Sequence, residues 1–249
     1  MKTIKINKRK IGYKHPPFLI AEVGINHNGS LNRALKMVEI AKQAGVDAVK
    51  FQTFKAEEFI SSNSTKYTYF SKGKKVTESM YNMFKRYELS KNALVKIKKK
   101  CKEKNLIFFS TPQNYSDLKV LLKVGVPVIK VGSDDFTNIP LIKSYSKTKL
   151  PLILSCGMAN LEEIKNTLRT IDYKNYPVIL MLCVSQYPTP IKDVNLLRLK
   201  ELKKRFPNLI LGFSDHTIGP IAAVVAASLG AICFEKHFTL SNKESGPDH

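Results

Sequence analysis

The chain has 249 residues, 43% hydrophobic and 24% charged, which excludes a globally disordered protein and allows one large buried core. Its formal net charge of +21 would attract an anionic partner, but the lysines are scattered over predicted outer helices without interleaved aromatic residues, which favours a solvated surface over a nucleic-acid interface. The sequence contains no signal peptide, membrane span or C-x-x-C pair, so we expect a reduced, cytoplasmic protein.

Eight short apolar runs alternate with amphipathic segments along the chain. Residues 1–17 precede the first run and are predicted to be a basic N-terminal extension. The runs are continuously apolar, as expected for parallel strands that are covered by helices. The predicted strands are Phe18–Val23, Ala48–Thr53, Ile107–Thr111, Val128–Gly132, Leu152–Cys156, Val178–Val184, Leu209–Ser214 and Ala231–Phe238.

Seven amphipathic segments lie between these strands, and several follow a capping residue such as Ser30, Ser90 or Asn160. The turn Asn26-His27-Asn28 is predicted to cap the first helix, with a contact to the functional site as the alternative. Eight strands and seven helices predict an α/β fold, a (β/α)8 TIM barrel over residues 18–249; an open doubly wound sheet is the alternative, but no G-x-G-x-x-G follows the first strand. The predicted helices are Leu31–Ala44, Lys91–Lys104, Tyr115–Lys123, Pro140–Lys147, Leu161–Thr170, Val194–Arg205 and Ile221–Leu229.

Two segments depart from a minimal barrel. Residues 55–90 separate the second strand from its helix, and they form either a functional lid or subunit contact, or a plain surface insertion. Residues 239–249 follow the eighth strand and are too few for an eighth helix. We therefore expect that the chain is a fragment; closure of the barrel by something absent is the alternative.

Polar and ionisable side chains stand at the predicted carboxyl ends of the strands, where barrel enzymes carry their reactive groups. His216 and His237 end neighbouring strands, so their imidazoles could hold one divalent ion, assisted by Glu235 and Asp248. Hydrogen-bonded histidines without a metal are the alternative. The strand-end set comprises Glu22, Lys50, Gln52, Ser110, Thr111, Lys130, Ser133, Ser155, Ser185, Tyr187, Ser214, Asp215, His216, Glu235, Lys236 and His237.

Lys50 and Lys130 end the second and fourth strands, and a buried ammonium group there needs an anion or a covalent role. One interpretation is a cradle for phosphate and carboxylate groups, and the alternatives are a Schiff-base lysine or an ion pair with Glu22 or Glu235. Glu22 could also act as a base on water. The hydroxyl groups expected to share the cradle belong to Thr111, Ser133, Ser155 and Ser214.

Eight ordered motifs stand between about residue 18 and residue 249: Ile20–Gly29, Val49–Gln52, Ser110–Pro112, Ile129–Ser133, Tyr187–Pro190, Gly212–Gly219, Glu235–Leu240 and Gly246–His249. Through these motifs the chain resembles the sialic acid synthase family. The resemblance implies a homodimer that binds a divalent metal, Mn²⁺ or alternatively Mg²⁺ or Co²⁺. Full-length members continue into an antifreeze-like domain, which we expect to be missing from this chain.

The resemblance further implies condensation of phosphoenolpyruvate with an N-acylated amino-sugar aldehyde, N-acetylmannosamine or a related sugar, giving a nonulosonate of the sialic acid type and phosphate. It assigns the metal to His216 and His237. The implied catalytic residues are Glu22, Lys50, Lys130 and Glu235. The implied substrate-binding residues are Gln52, Thr111, Ser133, Ser155, Ser185, Tyr187, Ser214 and Asp248, and the family varies at the position of Ser185.

Three alternatives stay open. A Schiff-base lyase or aldolase would use Lys130 or Lys50 covalently. A barrel synthase acting on a sugar phosphate is chemically close, but Tyr187-Pro188 and the Gly246–His249 motif favour the sialic acid type. A basic nucleic-acid-binding protein is conceivable from charge alone, yet no nucleic-acid motif is found, and neither nucleic acid nor membrane is expected as a partner.

Overall fold

The computed structural model describes residues 2–62 and 64–249. These residues form two compact units, and each unit is made of two stretches of chain. The first unit contains residues 2–20 and Pro127–Lys236, and the second contains Ala21–Val126 and His237–His249. Within this described part of the chain, no helix is long and apolar enough to cross a membrane.

Twelve β-strands and nine α-helices occur among the described residues. The strands are β1 (Ile4–Ile6), β2 (Arg9–Ile11), β3 (Phe18–Gly24), β4 (Ala48–Thr53), β5 (Lys66–Ser71), β6 (Lys74–Ser79), β7 (Ile107–Pro112), β8 (Ile129–Val131), β9 (Leu152–Ser155), β10 (Val178–Leu182), β11 (Ile210–Asp215) and β12 (Cys233–His237). The helices are α1 (Leu31–Gln43), α2 (Ala56–Phe59), α3 (Met80–Tyr87), α4 (Lys91–Glu103), α5 (Tyr115–Val124), α6 (Ile139–Ser146), α7 (Leu161–Thr170), α8 (Arg198–Arg205) and α9 (Ile221–Ser228).

Eight of the strands form one sheet, in the order β7-β4-β3-β12-β11-β10-β9-β8. The pairs β4–β7, β8–β9, β9–β10, β10–β11 and β11–β12 are parallel. Along the chain, at least one helix separates each of these eight strands from the next, as parallel pairing requires. Eight parallel strands alternating with helices are the elements of a (β/α)8 TIM barrel, so the predicted fold class is confirmed.

All eight predicted strands are found within a few residues of their predicted ends. Among the helices, the predicted start at Val194 is wrong, because α8 begins at Arg198. The preceding residues Ile191–Asp193 form a 3-10 turn, and Asn195 has a φ of 43°, in the left-handed region that an α-helix cannot include. The amphipathic pattern is present in this stretch, but the local backbone delays the helix.

The segment between β4 and α4 folds into α2, the hairpin β5–β6 and α3. The ring of Phe84 meets Phe54 and Phe59 edge-on, with centroids 5.2 and 5.0 Å apart. Lys72 and Gly73 form the hairpin turn with φ of 52° and 74°, as in a two-residue turn of type I′. The segment therefore has an apolar cluster of its own, and its role as a lid or a subunit contact stays a prediction.

The basic N-terminal stretch contains an antiparallel hairpin that its composition did not predict. Ile4 and Ile6 of β1 are buried while the intervening Lys5 is exposed, which is the two-residue period of a strand. Ile4 pairs with Ile11 of β2. The Lys2 ammonium donates to the carbonyl of Tyr173 at 2.8 Å. These contacts attach the N-terminal residues to the rest of the first unit.

The four cysteines, Cys101, Cys156, Cys183 and Cys233, are buried thiols and none is in a disulfide. Burial raises the pKa of both the Cys101 and the Cys156 thiol to about 12. Burial also raises the pKa of Cys183, partly offset by its contact with Ser133. The thiols therefore act as small apolar side chains in this fold.

Candidate active site

In the second unit, Lys50 lies between a carboxylate and a hydroxyl group. Its Nζ is 3.0 Å from Glu22 Oε1 and donates to Thr111 Oγ1 at 3.2 Å. Strand register explains the second contact, because Lys50 pairs with Phe109 of β7 and the side chain two residues further on projects from the same face. Gln52 adds a long contact of 3.5 Å from Nε2 to Glu22 Oε1. Lys50 and Glu22 are 4% and 1% exposed, so this is a desolvated ion pair.

The first unit repeats this arrangement around Lys130 of β8. Its Nζ donates to Ser155 Oγ at 2.6 Å and lies 3.8 Å from Glu235 Oε1. The register has the same form, since Lys130 pairs with Ile153 of β9 and Ser155 follows two residues later. Lys130 is 2% exposed. Each unit therefore contains one buried lysine with a hydroxyl on the adjacent strand and a glutamate nearby.

Ser214 connects Glu235 to His216 in the first unit. The Ser214 hydroxyl donates to Glu235 Oε1 at 2.9 Å, and its Oγ lies 3.3 Å from His216 Nε2. His216 Nδ1 is 2.6 Å from the carbonyl oxygen of Val184. Because a carbonyl can only accept, Nδ1 carries a proton, and in the neutral imidazole Nε2 is then the nitrogen left to bind a ligand. The Tyr187 ring covers the imidazole, with centroids 4.1 Å apart.

Ser133 and Ser185 meet at a glycine in the same unit. The N–H of Gly157 donates to Ser133 Oγ at 3.0 Å. A Cβ on Gly157 would lie 3.0 Å from the hydroxyl oxygens of both serines and 2.5 Å from the sulfur of Cys183, so a larger residue does not fit without displacing them. Gly157 was not predicted as a site residue. It is identified by the hydrogen bond that its backbone N–H donates to Ser133, and a sequence alone does not show such a bond.

A buried carboxylate, Asp215, braces the turn that carries His216. Its Oδ1 accepts from the N–H and the hydroxyl of Thr217 at 2.9 and 2.7 Å. Its Oδ2 accepts from Lys236 Nζ at 2.8 Å. Sequence reasoning placed Asp215 at a strand end without a role, although the Asp-x-Thr spacing is typical of an Asx turn.

His237 and Asp248 come together in the second unit, with 3.7 Å between Nδ1 and Oδ2. Asp248 belongs to the segment that follows β12. Burial and, secondarily, the Asp248 carboxylate raise the pKa of Tyr67, a residue of β5. The second unit therefore gathers Glu22, Lys50, Gln52 and Thr111 in one cluster and pairs His237 with Asp248.

The turn Asn26-His27-Asn28 does not cap α1, so that prediction is wrong. The N-cap is Ser30, whose hydroxyl accepts from the N–H of Arg33 at 3.3 Å. A residue must stand immediately before the first helical residue to accept from its free N–H groups, and Ser30 holds that position. The two asparagines contact the segment after β12 instead.

The donor types suit a divalent cation. His216 is held in the tautomer that a metal ligand needs, with its other nitrogen donating to a backbone carbonyl. His237 has a carboxylate partner in Asp248. Among the residues that the structure describes, however, no group of three or more His, Cys, Asp or Glu side chains is already arranged to hold an ion.

The buried imidazole of His27 is expected to make the stability of the fold sensitive to acid. It is completely buried, and burial, followed by the positive charge of Arg33, lowers its pKa to about 4. Between its unfolded pKa of 6.5 and this value, the unfolded chain binds the proton and the folded chain does not. The contribution of His27 to the free energy of unfolding is therefore fully present above pH 6.5. About 3 kcal/mol of it is lost as the pH falls from 6.5 to about 4.

The measurement is urea unfolding at several pH values for the wild type and for His27→Gln, whose amide can still accept from the N–H of Gly29, as Nδ1 of His27 does at 3.0 Å. The acid-induced loss attributed to His27 should be missing in the variant. Parallel pH curves for the two proteins would contradict the assignment.

Comparison with known proteins shows which family and which structures the chain is similar to. A family model described as the NeuB family matches residues 37–249. The chain is 41% identical over 234 residues to an N,N'-diacetyllegionaminic acid synthase of Campylobacter jejuni, covering 93% of this chain and 70% of that protein. It is 33% identical over 245 residues to an N-acetylneuraminate-9-phosphate synthase of Homo sapiens, covering 97% and 67%. A crystal structure of N-acetylneuraminic acid synthetase from Leptospira borgpetersenii, in complex with citrate, is similar with a TM-score of 0.88 and 34% identity, over 96% of this chain and 79% of that chain.

Proposed function

Since this chain belongs to the NeuB family, we propose that it is a transferase that joins phosphoenolpyruvate to the aldehyde of an N-acylated amino sugar. The product would be a nonulosonate of the sialic acid type, with release of phosphate. One observation carries the proposal at the level of the site: each of two buried lysines is paired with a hydroxyl group on the adjacent strand. Phosphoenolpyruvate has a phosphate and a carboxylate, which are the anions that such ammonium–hydroxyl pairs bind.

In the proposed reaction, the methylene carbon of phosphoenolpyruvate forms a bond to the aldehyde carbon of the sugar. As this bond forms, the π bond of the aldehyde breaks, and its oxygen takes up a proton from solvent to become a hydroxyl group. Water then adds to the carbon that bears the phosphate, the carbon–oxygen bond to phosphate breaks, and that carbon is left as a ketone. Glu22 accepts the proton of the attacking water, a role suited to a carboxylate held by Lys50 and Gln52. Lys50 and Lys130 stabilise the negative charge that stays on the phosphate and carboxylate groups.

His216 and His237 would hold a divalent cation, proposed to be Mn²⁺ with Mg²⁺ or Co²⁺ as alternatives. When bound, such an ion acts as a Lewis acid on the aldehyde oxygen. The contribution of the chain is to fix the histidine tautomer, through Val184 for His216. Tyr187, whose ring is tilted over that imidazole, and Asp248, beside His237, are proposed to contact the sugar. We also propose that the protein is a homodimer and that it acts in the cytoplasm.

The direct test measures phosphate release from phosphoenolpyruvate by the purified chain with Mn²⁺ and one of three sugars. These are N-acetylmannosamine and the deoxygenated diamino sugars that lead to legionaminic and pseudaminic acid. We expect release that requires both substrates, and the sugar that supports it identifies the product. Absence of sugar-dependent release with all three would contradict the proposal.

The Schiff-base alternative makes a different prediction, because only a lyase of that type forms an adduct with pyruvate that borohydride traps. The structure favours the synthase, since a lysine nucleophile must be uncharged and Glu22, 3.0 Å from Lys50, stabilises the ammonium form. We expect no mass increase after treatment with pyruvate and borohydride. A trapped adduct on Lys50 or Lys130 would establish the alternative.

A further inference from the structure

Beyond the residues already assigned, we infer that Asn26 and Asn28 are positioning residues that set the place of Asp248. Both follow β3, and both reach the segment 238–249 within the second unit. None of the described residues 238–249 lies in a helix or strand. Apart from the backbone hydrogen bond from the N–H of Phe238 to the carbonyl of Glu22, side-chain contacts hold this segment and the carboxylate it carries in place.

The side-chain amide of Asn26 donates hydrogen bonds near both ends of the segment. It is 1% exposed, and its Nδ2 donates to the carbonyl of Phe238 at 2.9 Å and to the carbonyl of Asp248 at 3.0 Å. Two carbonyl oxygens can only accept, so the amide orientation is fixed and both of its hydrogens are used. A buried bidentate contact of this kind closes the loop between Phe238 and Asp248.

Asn28 contacts the second half of the segment. Its Nδ2 donates to the carbonyl of Ser245 at 2.9 Å, and its Oδ1 is 3.2 Å from His249 Nε2. Asn28 has a φ of 52°, a left-handed conformation that asparagine adopts more readily than most residues. Asparagine therefore suits this position for two reasons. Its backbone adopts the left-handed conformation, and its side-chain amide contacts Ser245 and His249.

An ion pair between α1 and the segment adds a third attachment. Arg33 Nε donates to the carbonyl of Asn26 at 3.0 Å, and its terminal nitrogen is 3.1 Å from Glu244 Oε1. On the other side, the N–H of Gly246 donates to Ser71 Oγ of the hairpin at 3.1 Å. The segment is thus held between the loop after β3 and the hairpin β5–β6.

The attachment places the Asp248 carboxylate close to two groups of the proposed site. Its Oδ2 lies 3.7 Å from His237 Nδ1. A Cβ built on Gly24 would meet both Glu22 Oε1, at 3.2 Å, and Asp248 Oδ2, at 3.8 Å, so this glycine leaves room for the two carboxylates. The functional part of the inference rests on the proposed function, because contact of Asp248 with the sugar is itself proposed; the structural part does not.

The first measurement is hydrogen–deuterium exchange of the peptide 239–248 in the whole 249-residue chain, which needs no enzymatic activity. Asn26→Ala removes two hydrogen bonds and should speed exchange by about tenfold or more. Asn28→Ala, at a half-buried position, provides a second variant if Asn26→Ala does not fold. Asn92→Ala, at an exposed asparagine of α4, is the control and should exchange as the wild type does. Unchanged exchange in both folded variants would overturn the inference.

The second measurement is a double-mutant cycle on phosphate release. Asn26→Ala should lower kcat/KM for the amino sugar by about tenfold or more and change the KM for phosphoenolpyruvate by less than about twofold. If Asn26 acts through Asp248, adding Asn26→Ala to Asp248→Ala should cost less than about twofold more. Independent, multiplying losses would overturn the positioning role. Inactivity of the wild type with every sugar would count against the proposed function alone, because the exchange result stands by itself.

Discussion

Replacing Lys130 by methionine is expected to lower kcat/KM for phosphate release by about 10³-fold, because one fixed donor to a developing anion is commonly worth that much. Methionine keeps the length and apolar stem of the side chain but removes the charge that Ser155 and Glu235 face. Lys50→Met should have an effect of the same order, since its contacts with Thr111 and Glu22 are equivalent. The measurement is steady-state phosphate release with both substrates varied.

Stability must be separated from catalysis in this experiment. Removing one partner of a buried ion pair costs about 3 kcal/mol, since the remaining charge stays desolvated. Adding Glu235→Gln to Lys130→Met restores neutrality, so the double variant should recover most of the free energy of unfolding while staying inactive. Lys98→Met is the matched control, because Lys98 also donates to a buried part of the chain, the carbonyl of Val124 at 2.7 Å. Activity in the double variant would contradict the assigned role of Lys130.

Replacing His216 or His237 by alanine is expected to weaken Mn²⁺ binding by about 100-fold or more, since loss of a ligand should cost at least as much as loss of an outer-shell partner. Thorough chelation of the wild type should abolish phosphate release, and added Mn²⁺ should restore it. Metal content by mass spectrometry and affinity by calorimetry are the measurements. Both report binding without reference to activity.

His15→Ala is the control for this series, because His15 is a histidine outside the proposed site and should leave metal content unchanged. Thermal unfolding of each variant tests whether the fold is retained. Normal metal content in both His216→Ala and His237→Ala would refute the assignment of these two histidines. Activity that survives chelation would refute the proposed requirement for the ion.

Much of the fold could be predicted because parallel strands in this architecture are buried on both faces and read as uninterrupted apolar runs. The run Val178–Leu182 is an example, since every residue in it is buried. Departures arise where local backbone geometry overrides the pattern. Asn195, with a positive φ, delays α8, and the polar residues of β5 and β6 pair with each other as a hairpin with little burial to reveal them.

The candidate site was predictable as a set of strand ends, but its contacts were not. Lys50 and Lys130 stand out in the sequence as charges at the ends of apolar runs. That each reaches a hydroxyl two residues beyond its partner on the adjacent strand depends on register, which a single sequence does not contain. The role of Asn26 was missed because its partners are backbone carbonyls, which leave no trace in residue type.

The burial of all four cysteines makes the native chain convenient for single-molecule work. A thiol with a pKa of about 12, as for Cys101 and Cys156, is almost entirely protonated at neutral pH and shielded from a maleimide dye. A fluorophore can therefore be directed to one new cysteine on the surface without first deleting the native ones.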